Sequence, residues 1–259
     1  MEIVICKDYD ELSKLAAAEV AAVLRERPDA VLGLATGSSP VGLYAELIRL
    51  HKEEGLDFSQ VTTFNLDEYI GLPPEHEQSY RYFMNEKLFD HINIDKENTR
   101  VPSGTATDYA AHCQEYEDAI LAAGGIDVQV LGIGSDGHVG FNEPGDSLCC
   151  RTHTVTLTEQ TINDNSRLFE KKEDVPLFAC TMGVGTVMDA HKCVMVVNGK
   201  HKAATVAQAL EGPVSCMCTA SALQMHNDTA VFLDEDAASG LKMAGYYRWI
   251  QKMKDQAPR

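Results

Sequence analysis

Positive charge is what this sequence has least of. Only 22 lysines and arginines stand against 39 aspartates and glutamates, for a formal charge of -17. Nucleic acid and anionic membrane both demand a basic surface, so neither is an expected partner. The same field repels phosphorylated metabolites, and a site for one has to gather a few cations locally. Metal-type cysteine spacing is also missing. The eight cysteines include the adjacent Cys149 and Cys150 and the close pair Cys216 and Cys218, but no CxxC and no Cys/His cluster with zinc spacing. They read as reduced thiols of a cytoplasmic protein. The opening MEIVICKDYDEL has an apolar run of only a few residues flanked by acids and no cleavage pattern, which predicts neither a signal peptide nor a membrane anchor. No internal repeat, low-complexity tract or long Pro/Gly/Ser linker divides the 259 residues, 44% of them apolar, so one domain over 1–259 is expected.

What is present is an alternation of short apolar runs with amphipathic stretches. IVI (3–5), AVLGLA (30–35), VTTFNL (61–66), IDVQVLGIG (126–134), CVMVV (193–197) and TAVFL (229–233) read as buried strands. Residues 11–27, 40–55, 108–125 and 201–210 carry apolar side chains at three- and four-residue steps, the helical spacing. This order predicts an α/β fold, a doubly wound, mostly parallel sheet with helices on both faces, whose ligands sit beyond the carboxyl ends of the strands. Residues 135–180 form the least regular region, mixing alternation with the charged run EKKED; they read as a solvated excursion or as a mobile lid, at about 157–178.

Three loops after predicted strands carry chemistry. In ATGSSP (35–40), Gly37 permits a tight turn, Ser38 and Ser39 offer hydroxyls and capping oxygens, and Pro40 suits a first helical position. Such a helix start favours an anion, although Ser-capped junctions are common in α/β proteins. The loop has neither the lysine of a P-loop nor the spacing of GxGxxG, which argues against a nucleotide. In NLDEY (65–69), two adjacent acids cannot both be buried without partners, so one should face a polar cleft or a cation, or cap the turn before GLPP. The third loop, GIGSDGHVGFNEP (132–144), sets Asp136, His138 and Glu143 among four glycines. A carboxylate beside an imidazole raises its basicity, and the trio reads as a general acid-base group. A metal would need further ligands that neighbouring sequence does not supply. Ser135 lacks a GxSxG elbow, and Cys149 and Cys150 lack a base, so no nucleophile is recognisable.

Together with QSYRYFM (78–84), GVGTVMDA (183–190) and LEGP (210–213), these motifs resemble the glucosamine-6-phosphate deaminase family from about residue 30 to 233. The resemblance implies the fold shared with ribose-5-phosphate isomerase A, of the CoA transferase-like type, and conversion of glucosamine 6-phosphate and water to fructose 6-phosphate and ammonia. It implies His138 as the acid/base of ring opening, oriented by Asp136 and Glu143, and Asp67 as the base that moves the C2 proton to C1. It gathers Thr36, Gly37 and Ser38 around the phosphate, with Arg167 and Lys202 as the local cations. No metal or organic cofactor is implied. A 6-phosphogluconolactonase shares a related glycine-rich loop and GxGxDGH, but hydrolysing a lactone requires no carbon base, and Asp67 and Glu143 favour the deaminase. A non-catalytic sugar-phosphate sensor of the repressor type would carry a helix-turn-helix before the pocket; here the first predicted strand begins at residue 3.

One departure bears on regulation. Hexameric members activated by N-acetylglucosamine 6-phosphate hold its phosphate with serines just after FNEP and with an Arg and a Lys on the next strand. This chain has Asp146 where one serine would lie, keeps Ser147, and has His153 and Val155 at the basic positions. The resemblance therefore implies kinetics without that activator, and a monomer or small homo-oligomer rather than an allosteric hexamer.

Overall fold

The computed structural model describes residues 1–256. Each of the six predicted strands forms, as β1 (Glu2–Cys6), β2 (Val31–Leu34), β3 (Thr62–Asn65), β6 (Val128–Leu131), β9 (Lys192–Val197) and β10 (Thr229–Asp234). With the short β5 (Thr99–Arg100) they build one parallel sheet in the order β1-β10-β9-β6-β2-β3-β5. The four predicted helices are α1 (Tyr9–Glu26), α2 (Val41–Glu54), α4 (Tyr109–Ala122) and α7 (Ala203–Glu211). Helices α3 (Tyr80–Lys87), α5 (Glu159–Asn165), α6 (Val184–Met188) and α8 (Ala244–Met253) complete the set described.

The strand residues alternate between two apolar layers, as a period of two dictates when both faces of a sheet are covered. Val4, Leu32, Leu34, Val128, Val130, Val194, Val196 and Phe232 pack with α1 and α2 through Leu12, Val20, Leu43 and Leu47. Their neighbours Ile3, Val31, Leu131, Met195, Val197, Val231 and Leu233 pack on the other side with Tyr116 of α4 and Val206 and Leu210 of α7. The doubly wound arrangement follows directly.

A second sheet is the part that periodicity does not show. Strands β4 (Asp67–Tyr69), β7 (His153–Thr156) and β8 (Phe178–Thr181) pair antiparallel in the order β4-β8-β7. Each has only three or four residues, too few for alternation to stand out. Beneath it lies a separate apolar cluster of Tyr69, Phe141, Leu157 and Ala179, with Tyr80 and Phe169 against it. This sheet flanks the carboxyl edge of the large one, and residues 157–177 run between β7 and β8 as α5 and two short 3-10 turns, Ser166–Leu168 and Lys172–Asp174.

Candidate active site

The loops following β2, β6 and β9 leave neighbouring parallel strands at the same edge, so the topology alone brings ATGSSP, GIGSDGHVGFNEP and GKHK together. Side chains tie them. Ser39 Oγ donates to Asn198 Oδ1 at 2.9 Å, linking the loop after β2 to the loop after β9. Thr205 Oγ1, in the first turn of α7, donates to the Ser135 carbonyl at 2.7 Å and links α7 to the loop after β6.

His138 is held at one ring nitrogen. Nδ1 lies 2.8 Å from Asp136 Oδ1 and 3.2 Å from Glu143 Oε2, while Asp136 Oδ1 also accepts the His138 backbone N–H at 3.1 Å. Burial by itself would lower the imidazole pKa, but hydrogen bonds to Asp136 and Glu143 and their charges outweigh it and raise it to about 9. Burial likewise opposes ionisation of Asp136, and the bond and charge of His138 overcome it, holding that carboxyl at about 2. Nε2 has no hydrogen-bond partner among the described residues and is left for a ligand. The ring lies so close over Gly134 that a Cβ there would meet Nε2 and Cε1 at 2.5 Å, which accounts for a glycine at this position. Atoms of Asp136, His138 and Glu143 lie within 4.8 Å of one another, which is also compatible with a metal ion; at Nδ1 the separations are those of shared protons.

Glu143 faces two ways. Oε2 meets His138, and Oε1 accepts the Thr158 backbone N–H at 3.1 Å, where Thr158 is the N-cap of α5. Helix α5 makes two further contacts with the site. Ser135 Oγ donates to Asp164 and accepts from Gln160 Nε2 at 2.8 Å, and Asn165 Nδ2 donates to the Tyr69 hydroxyl at 2.8 Å. No local sequence pattern points to these partners, although Thr158 followed by Glu159 is an N-cap signature that marks the start of α5.

Asp67 lies not in a loop but at the start of β4. It is 6% exposed, and among the described residues nothing donates a hydrogen bond to its carboxylate. A Cβ at position 140 would stand 3.4 Å from Asp67 Oδ2, so the loop of His138 passes directly beside this acid. Burial first, and then the charge of Glu68, raise the Asp67 pKa to about 7, against the pull of His138. The expectation that both acids of NLDEY could not be buried without partners resolves unevenly. Glu68 is buried with partners and Asp67 without them, and Glu68 reaches the first turn of α3 rather than the turn before GLPP.

At the phosphate end, the serines do not cap α2 as expected. Its N-cap is Pro40, one residue outside the helix, with no side-chain cap bond. Tyr9 of α1 does that work instead, its hydroxyl accepting the Gly42 N–H at 2.8 Å. Thr36 is partly exposed, and Gly37 and Ser38 are exposed. Lys202 is the N-cap of α7, and burial pulls its pKa below the usual lysine value while Asp164 and Asp136 raise it and Arg167 lowers it. The four charges are thus within electrostatic reach, with Arg167 arriving from the 3-10 turn after α5. At the positions discussed for an effector, Asp146 Oδ2 stands 3.7 Å from His153 Nε2 and Val155 lies in β7.

Residues 8–232 match the family model described as glucosamine-6-phosphate isomerases/6-phosphogluconolactonase. A glucosamine-6-phosphate deaminase of Arthrobacter sp. (strain FB24) is 52% identical over 96% of this chain and 95% of its own, and one of Thermoanaerobacter sp. (strain X514) is 50% identical over 92% and 94%. The solved structure of a monomeric glucosamine-6-phosphate deaminase superimposes with a TM-score of 0.91 at 46% identity, over 93% of this chain and all of that one. The 6-phosphogluconolactonase of Thermotoga maritima, at 20% identity and a TM-score of 0.72 over 90% and 99%, shares the fold. With its parallel sheet and the Asp136-His138-Glu143 group at the sheet's carboxyl edge, the chain belongs to the glucosamine-6-phosphate isomerase/6-phosphogluconolactonase family, and within it to the glucosamine-6-phosphate deaminases.

Proposed function

We propose that this protein converts glucosamine 6-phosphate and water to fructose 6-phosphate and ammonia. The observation that carries the reading is Asp67, a buried carboxylate with no protein hydrogen bond and a pKa of about 7, beside the His138 loop. A carbon base at neutral pH needs those properties. The sugar phosphate enters as a closed pyranose. His138, cationic at neutral pH and with Nε2 unoccupied, gives a proton to the ring oxygen, and the anomeric hydroxyl proton returns to it as the ring opens. Asp136 and Glu143 hold the ring and balance its charge. Asp67 then removes the C2 proton and returns it to C1. The amine carbon becomes an iminium, which adds water and releases ammonia.

The phosphate rests on Thr36, Gly37 and Ser38, with Lys202 and Arg167 supplying charge. Support comes from the exposure of Gly37 and Ser38 ahead of α2, whose N-cap Pro40 makes no side-chain bond, and from Arg167 lying within electrostatic reach of Lys202. Residues 157–178 act as a lid that brings Arg167 in, a reading supported by the contacts of α5 to Glu143, Ser135 and Tyr69. The protein works in the cytoplasm as a single catalytic domain and as a monomer or small homo-oligomer; among the described residues no helix is long and apolar enough to cross a membrane. Incubating the purified protein with glucosamine 6-phosphate should yield ammonia and fructose 6-phosphate in equal amounts, with 6-phosphogluconolactone left to its spontaneous hydrolysis. Absence of fructose 6-phosphate after long incubation, or rapid lactone hydrolysis instead, would sink the reading.

A further inference from the structure

Glu68 is 2% exposed, next in sequence to Asp67, and unused by the chemistry above. Successive side chains of a strand point to opposite faces, so with Asp67 beside the His138 loop, Glu68 turns toward α3. There its carboxylate is fully engaged. Oε1 accepts the backbone N–H groups of Tyr69 and Tyr80, both at 2.9 Å, and Oε2 accepts that of Arg81 at 3.1 Å. Tyr80 and Arg81 open α3, where N–H groups lack helical partners and a negative charge is welcome.

Two buried carboxyls on adjacent residues cannot both ionise freely. The hydrogen bonds decide which one keeps the charge. Three N–H groups favour ionised Glu68, whereas among the described residues nothing donates to Asp67, so as pH falls the first proton goes to Asp67. We propose, resting on the assignment of Asp67 as the carbon base, that Glu68 is its positioning residue. Its charge, fixed by three backbone N–H groups, keeps Asp67 basic enough to take the C2 proton, and the same bonds lock β4 to α3.

The other ionisable groups around the pair are consistent with this. Asp67 is coupled to His138 from the loop after β6, to Tyr69 of its own strand, to Tyr80 of α3, to Tyr116 of α4 and to Cys180 of β8. Of these only His138 is a cation, and it acts on Asp67 in the opposite sense to Glu68. Glu68 is coupled to Arg81 and to the hydroxyls of Tyr69, Tyr80 and Tyr109. The guanidinium of Arg81 is spent on Thr99, donating to Oγ1 and to the carbonyl, each at 2.7 Å. Burial raises the Glu68 pKa to about 7 against its three N–H bonds and Arg81, so the two carboxyls titrate in the same range, as interacting sites do.

The test is the pH dependence of kcat/KM, whose acidic limb reports the free enzyme's base. In Glu68→Gln the limb should move down by about 1 pH unit, the scale on which one neighbouring charge moves a carboxyl. Glu68→Asp keeps the charge while shortening the reach, so it should lose turnover and leave the limb in place. Ionisations of the substrate are common to all three profiles and cancel. A limb that stays put in folded Glu68→Gln, or moves as far in Glu68→Asp, overturns the proposal. If Glu68→Gln does not fold, the unaltered protein decides: as pH falls, the carbon-13 signal of the Asp67 carboxyl should move before that of Glu68, and simultaneous movement or the reverse order overturns the proposal. Failure of the deaminase reading shows itself separately, as an unaltered protein that makes no fructose 6-phosphate.

Discussion

Oδ1 of Asp136 accepts from both the ring Nδ1 and the backbone N–H of His138, at 2.8 and 3.1 Å. One oxygen therefore fixes the ring's position and its charge. Because the folded-state pKa of His138 is raised to about 9 from 6.5, its contribution to stability is complete below pH 6.5 and lost as pH rises through 9. Asp136, held at about 2 against 3.8, contributes fully above pH 3.8 and loses its share as pH falls through 2. We predict that Asp136→Asn lowers the His138 titration midpoint, followed by imidazole NMR. The variant should be less stable by about 1.5 to 3 kcal/mol near pH 6, the worth of a charge-assisted bond, with the difference shrinking above pH 9. An unmoved His138 midpoint would refute this.

Asp67→Asn removes the carbon base and keeps its shape. Turnover should fall by about 10²- to 10⁴-fold with substrate affinity largely retained, and exchange of the C2 hydrogen with solvent should fall equally. The same change should stabilise the fold at high pH. A carboxyl raised from 3.8 to about 7 leaves the folded state progressively less stable as pH rises through 7, and each pH unit between the two values corresponds to about 1.4 kcal/mol. Thermal unfolding at pH 8 should therefore favour the inactive variant, and at pH 4 it should not. Wild-type C2 exchange in the variant would end the assignment.

Arg167 and Lys202 are expected to act on the phosphate alone. Replacing either with Met should weaken glucosamine 6-phosphate binding by about 1.5 to 3 kcal/mol and scarcely change the response to unphosphorylated glucosamine. Hydrogen exchange in 157–178 should slow when a substrate analogue binds. Equal losses for both sugars, or exchange that ignores the analogue, would count against the clamp and the lid respectively.

The surroundings of Asp146 bear on regulation. Among the described residues nothing donates to its buried Oδ2, and His153 Nε2 stands 3.7 Å from it. A phosphate dianion placed here meets an acid, and two charge-assisted bonds worth about 1.5 to 3 kcal/mol each are missing, as much as a whole allosteric coupling. Initial rates should rise hyperbolically with substrate and be indifferent to N-acetylglucosamine 6-phosphate. Light scattering should give a mass well below six chains. A sigmoidal curve abolished by that sugar, or a hexameric mass, would contradict the respective claim.

Apart from the two-residue β5, the large sheet was legible because most of its strands are buried apolar runs and the helices on it follow a 3.6-residue rhythm; Val128–Leu131 and Lys192–Val197 lie within their predicted spans to within a residue. The small sheet was not, since strands such as Asp67–Tyr69 owe their conformation to partners distant in sequence. The site divides the same way. His138 and its two carboxylates sit within one loop and could be read as a group, whereas Thr158, Ser135 with Asp164, and the engagement of Glu68 by α3 arise from long-range contacts that no local pattern encodes. The serines of ATGSSP misled for a related reason, because the donor of α2 they were expected to cap is met by Tyr9, from another helix.

The pairing of Thr156 with Phe178 clamps the two ends of segment 157–177 side by side, and the next strand pair sets Asp67 opposite Thr181. Insertions and deletions therefore have opposite consequences a few residues apart. Between the clamped ends, doubling the length of the segment costs only about 0.6 kcal/mol of closure entropy, so its length can change as long as the ends meet and Thr158 and Arg167 keep their places. Within β8 a single added residue slips the register by one, and a slip by one exchanges the faces of a strand. Thr181, whose Oγ1 accepts the Phe141 N–H in the loop beside Asp67, would then be turned away and Cys180 brought in its place.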